Sequence, residues 1–241
     1  VRYADFSTYS RQKSLKTAIN SSEEIYQIAK KLLIKDINKK TSELMELVTK
    51  LEAEKKISLT NKKVIIDAGH GGKDAGAVGP TGLKEAQSAL IIAHLVAQKL
   101  RDFGATVVLT RATNKFISLS ERVVIAKKHR DADIYLSIHH NAVADNSVEG
   151  IETYHYYNSA LSAPACEDIH EAMMNSFSDH KDRGVKEAGY YVLKNTPMAA
   201  VLAELEFISH PKREVELQDV EVIAQYVNAL TTGLIKYLGE V

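Results

Sequence analysis

Cysteine is nearly missing from this chain, and its scarcity limits the chemistry before any motif is read. Cys166 is the only one among 241 residues. No internal disulfide can form, nor a thiolate cluster for structural zinc, so any metal here has to use histidine and carboxylate ligands. An excess of charge is also lacking, since 31 lysines and arginines balance 31 aspartates and glutamates. That removes the basic footprint of a nucleic-acid binder. No apolar run approaches the roughly 18 residues that a transmembrane span requires. No signal-peptide pattern, internal repeat or low-complexity tract is present. Because the sequence starts at Val1 and not at a methionine, a processed form or fragment is expected, and the missing leader does not argue for the cytoplasm.

Hydrophobic residues make up 45% and charged residues 26%, a globular balance that supports one sizeable core and an accessory segment. The accessory segment is residues 1–60. Ser21 and Glu24 have the spacing of a capping box, and Ile25, Ile28, Ala29 and Leu32, then Leu44, Leu47, Val48 and Leu51, recur at helical intervals. The pattern predicts one long or two shorter helices running to about Lys56, docked on the body or on a partner. Lys35, Lys39 and Lys40 interrupt the stripe, which argues against a sustained coiled coil. Residues 1–60 hold 12 basic and 8 acidic side chains, a net of +4, against −4 for residues 61–241.

In residues 61–241, strand-like runs alternate with helical patterns. Val64–Ile66 is a short apolar run that leads into Asp67-Ala68-Gly69-His70-Gly71-Gly72. Strands are expected again at 105–110, 134–138, 151–156, 190–193 and 200–207. Helices are expected after Leu83, from the Ser118/Glu121 capping box to Lys128, and over 160–177 and 220–238. This order predicts an α/β fold with a mainly parallel sheet and helices on its faces.

In such sheets ligands collect at the carboxyl ends of strands. His70 lies at one such end, Glu85 at the start of the following helix, and His139-His140 at another strand end. Two histidines and a carboxylate are a ligand set of catalytic zinc. Side chains alternate along a strand, so His139 and His140 face opposite ways and only one of them is expected to be a ligand. Val201–Phe207 is an apolar run broken by Glu204 and Glu206, at i and i+2 and hence on one face. Carboxylates in so apolar a run need partners, and either could serve as a general acid/base. For Glu206 a pairing to a surface lysine is the simpler expectation.

In collinear order the chain carries VIIDAGHGGKDAGAVGPTGLKE, VVLTR, SLSERVVIA, ADIYLSIHHNA, GIETYHY, RGVKEAGYYVL and AAVLAELEFISHP. Together these blocks, from about Lys63 to Leu238, resemble the zinc-dependent N-acetylmuramoyl-L-alanine amidases of the amidase-3 type. The resemblance implies a twisted, mainly parallel sheet flanked by helices, with one zinc ion held by His70, Glu85 and His139 and with Glu204 as catalytic acid/base. It implies hydrolysis of the amide between N-acetylmuramic acid and L-alanine in peptidoglycan by a metal-activated water, and an extracytoplasmic location. Asp67, His140, Asn141, Arg183 and Glu206 are candidates for supporting the ligands or contacting substrate. Glu206, His140 and His210 stand where the family pattern usually has glycine, a small residue and asparagine. Residues 1–60 fall outside the resemblance. Two other readings share the ligand set: a zinc peptidase acting on another amide, and a peptidoglycan-binding module without catalysis.

Overall fold

The computed structural model describes residues 58–239. The helices expected before Lys56 lie outside them. Six strands form one sheet: β1 (Lys63–Ala68), β2 (Thr106–Leu109), β3 (Ile134–Asn141), β4 (Ile151–His155), β5 (Asp182–Glu187) and β6 (Ala199–Phe207), in the order β2-β1-β3-β6-β4-β5. β2, β1, β3 and β6 are mutually parallel. β4 pairs antiparallel to β6, and β5 runs parallel to β4. The α/β class and the mainly parallel sheet are as the alternating pattern predicts.

Helices α1 (Glu85–Asp102), α3 (Ala163–Ser176) and α6 (Val220–Leu238) cover one face. The short α2 (Leu119–Lys128) and α4 (Tyr191–Asn195) cover part of the other, while α5 (Pro211–Glu216) follows β6. Each strand divides its side chains between two cores by simple alternation. Val64, Ile66, Ile134, Leu136, Ile138, Val201 and Ala203 pack toward the three long helices. Ile65, Tyr135, Ala200 and Leu202 pack toward α2 and α4 with Val123, Val192 and Leu193. Because both faces of the central strands are buried, they read as unbroken apolar runs. The second face carries fewer and shorter helices, and His139 of β3 and Glu204 of β6 are only partly buried on it.

Two elements differ from expectation. The strand placed at 190–193 is the helix α4, and the strand paired to β4 is Asp182–Glu187. A short apolar run such as Tyr190-Tyr191-Val192-Leu193 fits either state. Here Val192 and Leu193 are buried side by side, which one helical turn allows and a half-buried strand does not. β5 is an edge strand with a polar sequence, DRGVKE, and so lacks the apolar signature of the interior strands.

Candidate metal centre and acid/base site

The chain leaves β1 through a turn in which His70 adopts φ 57, the left-handed region, at a cost of roughly 1–2 kcal/mol for a residue with a side chain. Two buried guanidinium groups hold it there. Arg111 donates to the carbonyls of Ala68 (2.9 Å), Gly69 (2.6 Å) and Ala86 (2.8 Å), and Arg122 to those of Ala68 and His70, both at 2.7 Å. Asp67 pairs with Arg122 and accepts from Thr110 Oγ1 (2.5 Å) and Ser137 Oγ (2.8 Å). Burial would raise its pKa, but Arg122 and then the two hydroxyls outweigh burial and hold it below the usual carboxylate range. Asp67 therefore braces the turn through Arg122 and does not touch the His70 ring. The ring is oriented by Asp74, whose Oδ2 lies 2.9 Å from Nδ1.

With Nδ1 so engaged, His70 Nε2 faces Glu85 Oε1 at 3.1 Å, and His139 Nδ1 meets the same oxygen at 2.8 Å. One ligand atom each from His70, Glu85 and His139 lies within 4.8 Å of the others. Glu85 starts α1, where the helix dipole favours a carboxylate, and its Oε2 accepts from the Ala77 N–H at 2.9 Å. Small residues make the approach possible. A Cβ on Gly69 would collide with the His139 ring, and one on Gly76, at φ 66, would lie 2.5 Å from Glu85 Oε2. Burial opposes charge on both rings. Hydrogen bonding and the charge of Glu85, helped by Asp74, nevertheless raise His70 to about 9, and the same carboxylate raises His139. Glu85 is depressed in turn, against burial, by bonds to His139 and His70. Such mutual stabilisation marks a site built for a positive charge, and the donor set fits a divalent transition metal.

Glu204 comes from β6, directly opposite His139 in the β3–β6 register, on the half-open face. It is half-buried, with Oε2 shielded from solvent and without a hydrogen-bond partner among the described residues. Burial raises its pKa most. The charges of Glu85 and Glu152 add to that and those of His139 and His70 subtract, giving about 7. A bound cation would draw that value down. The arrangement can hold one metal ion and exchange a proton beside it at neutral pH.

The remaining candidates separate by face. His140 points to the other side, where Nε2 meets Ser88 Oγ at 2.8 Å and burial pushes its pKa down to about 4. It packs as a neutral ring, and only its backbone N–H reaches Glu85, at 3.2 Å. Asn141 donates to Glu152, and Arg183 Nε bonds the same carboxylate at 3.2 Å.

Glu206 does not share a face with Glu204, and its partner is no surface lysine. The β3–β6 register slips by one residue between His139 and Asn141. Glu206 consequently turns into a buried network, accepting from the Gly150 N–H and from His180 Nδ1 (2.8 Å), with Arg213 alongside. His180 thus has a structural partner that its position in the sequence does not reveal.

Sequence reasoning missed five supporting residues. Asp74 lies one helical turn's spacing after His70 but in a loop. Glu152 is an acid in an apolar strand, the same signal that singled out Glu204. Arg111 and Arg122 give no sign of their inward orientation. Glu214 is fully buried and accepts from the Thr81 and Leu83 N–H groups (2.8–3.0 Å), fixing the loop that delivers Glu85.

Comparison with known proteins identifies the family. The family model described as N-acetylmuramoyl-L-alanine amidase matches residues 64–236. The chain belongs to that family. A second model, the impB/mucB/samB family C-terminal domain, matches residues 1–60. YqiI of Bacillus subtilis is 38% identical over 184 residues, covering 76% of this chain and 87% of YqiI. The N-acetylmuramoyl-L-alanine amidase LytC of the same organism is 37% identical over 191 residues, which is 78% of this chain but 38% of LytC. The solved structure of the N-acetylmuramoyl-L-alanine amidase AmiC2 of Nostoc punctiforme superimposes with a TM-score of 0.70 at 34% identity, over 74% of this chain and 97% of that one.

Proposed function

We propose that this protein hydrolyses the amide joining the lactyl group of N-acetylmuramic acid to L-alanine in peptidoglycan, with one zinc ion held by His70, Glu85 and His139 and with Glu204 as acid/base. The observation that carries the reading is the row formed by that ligand cluster and the half-buried Glu204 carboxyl beside it, one oxygen of which is unpartnered, in a chain of the amidase family. A bound zinc ion would supply Lewis-acid polarisation of the carbonyl and lower the pKa of a water from ~16 towards ~7. The protein does the rest. Asp74 and the Arg111/Arg122 clamp hold His70, and the Ala77 N–H and Glu214 hold Glu85. Glu204 removes a proton from the attacking water and returns it to the departing L-alanine nitrogen. Residues 61–241 would be the catalytic domain, acting outside the cytoplasm, and residues 1–60 a separate segment that docks on it or on a partner. No described helix is long and apolar enough to cross a membrane.

Metal analysis of the purified protein, together with a digest of purified cell walls, tests this reading. Expected are about one zinc per chain and new N-terminal L-alanine with the glycan strands intact. New termini elsewhere in the stem peptide would favour a zinc peptidase. Wall binding with zinc present and no cleavage would overturn the catalytic assignment.

A further inference from the structure

The row that begins with His139 does not end at Glu204. β4 runs antiparallel beside β6 with Glu152 directly opposite Glu204, so the two side chains stand on the same face. β5 lies beside β4, and its register slips by one residue next to Glu152, bringing both Arg183 and Lys186 onto that carboxylate. Glu152 is buried, and its oxygens are taken up by Asn141, Arg183 and Lys186. Both cations remain partly exposed, with Arg183 at 26% and Lys186 at 35% of the side chain. The Glu152 carboxylate therefore faces two cations.

These cations are also held in place. The Arg183 guanidinium lies over the Phe207 ring at 4.9 Å, and the Lys186 ammonium lies 5.7 Å from the centre of the Tyr154 ring. Tyr154 in turn meets the half-exposed Tyr190 edge to face at 5.2 Å. Arg183 uses Nε for Glu152, and its two terminal amino groups have no hydrogen-bond partner among the described residues. A planar, pre-positioned pair of donors beside an ammonium is a carboxylate receptor. Neighbouring strands are about 4.8 Å apart. Both cationic heads bond Glu152, which stands opposite Glu204 on the adjoining strand, so they lie past Glu204 by on the order of one strand spacing. Consecutive residues of an extended peptide are about 3.8 Å apart, so an acidic group one residue beyond the scissile amide falls within their reach.

We propose that Arg183 and Lys186 form an anion subsite that binds the free α-carboxylate of the second stem residue, the γ-linked D-glutamate that follows L-alanine. The inference rests on the peptidoglycan amidase reading and deepens it by naming what the leaving side must carry. It requires the enzyme to distinguish stems in which that carboxyl is free from stems in which it is amidated, because the amide brings no charge and offers an NH2 group to a site made of donors.

The test uses the full chain loaded with zinc and two synthetic substrates, N-acetylmuramyl-L-alanyl-γ-D-glutamyl-L-lysine and its counterpart with the glutamyl α-carboxyl amidated. The expected kcat/KM ratio favours the acid by about tenfold or more. Lys186→Met and, separately, Arg183→Met should bring the ratio toward one, through KM for the acid and not through kcat, and Lys186→Arg should restore it. Zinc content and circular dichroism identify a variant that has lost its fold, and the other variant then decides. Equal rates on the two substrates for the unaltered protein would overturn the proposal. So would an equal loss on both substrates in the variants, which would make the cations supports for Glu152. Calorimetric binding of the tripeptides L-alanyl-γ-D-glutamyl-L-lysine, with the glutamyl α-carboxyl free or amidated, to zinc-loaded Glu204→Gln reads the subsite without turnover. A tenfold preference for the acid there, with no hydrolysis by the unaltered protein, would sustain the subsite while sinking the amidase reading. Equal binding would sink the subsite alone.

Discussion

Glu204 and Glu206 lie two residues apart on one strand, Glu206 buried and Glu204 half-buried with one oxygen shielded from solvent, and the surroundings of each have opposite character. Glu206 is surrounded by donors: the Gly150 N–H, the Phe207 N–H and His180 Nδ1, with the Arg213 guanidinium behind. Both of its oxygens accept hydrogen bonds and a guanidinium stands close by, so the carboxylate is held in place. Glu204 has an oxygen without a partner and a pKa near 7, raised first by burial and then by Glu85 and Glu152. A shielded carboxyl oxygen left under-satisfied is costly, and it is retained where a proton has to come and go. The contrast separates a carboxylate that builds the wall of a site from one that works inside it.

The largest effect that would sharpen this contrast is on turnover. Glu204→Gln is expected to lower kcat by roughly 10²–10⁴-fold, the usual contribution of a positioned acid/base. Zinc content should be unchanged, and the melting temperature unchanged or higher, because the substitution removes an unsatisfied charge. Glu206→Ala is expected to do the reverse. Breaking a buried ion pair costs about 3–5 kcal/mol, read as a lower midpoint in urea, while kcat at a permissive temperature stays within a few-fold. Loss of turnover in a folded, zinc-loaded Glu206 variant with activity retained in the Glu204 variant would exchange the two roles.

Next in size is Asp74→Ala, which removes the acceptor that orients His70. A 10–100-fold weaker zinc affinity is expected, measured by competition with a chelator, with global stability nearly unchanged. The smallest effect belongs to Asp67, another fully partnered carboxylate. Its folded-state pKa lies below the unfolded value of 3.8. Its stabilisation is therefore present above about pH 4 and is lost as pH falls through the folded value. Asp67→Asn should reduce stability at neutral pH and flatten the acid limb of a stability–pH curve. An unaltered acid limb would show that Arg122 does not depend on this charge.

Much of the fold is legible in the sequence because strands covered on both faces leave unbroken apolar runs, along which side chains alternate with a period of two. The same period places His139 and His140 on opposite faces, as the structure does, with His139 beside Glu85 and His140 against Ser88. The rule fails at Glu206 for a definite reason. Alternation assumes unbroken register, and one slipped residue between β3 and β6 reverses the face. Asp74 was obscured by its loop, where no period exists. β5 was obscured by its edge position, which removes the apolar signal of a strand with two covered faces.

By itself, the sequence determined the alternating α/β order, the metal chemistry open to a chain with a single cysteine, and the collinear blocks in which His70, Glu85, His139 and Glu204 occur. These are properties of residue type and order, and they hold whatever the packing. Tertiary structure alone decided which carboxylate keeps a free oxygen, which acid orients His70, and that two cations from an edge strand continue the row past Glu152. Those outcomes depend on register and on the paired burial of groups up to 133 residues apart, such as Thr81 and Glu214. No local pattern encodes such distances, because the desolvation that selects each partner exists only once the sheet has closed around it.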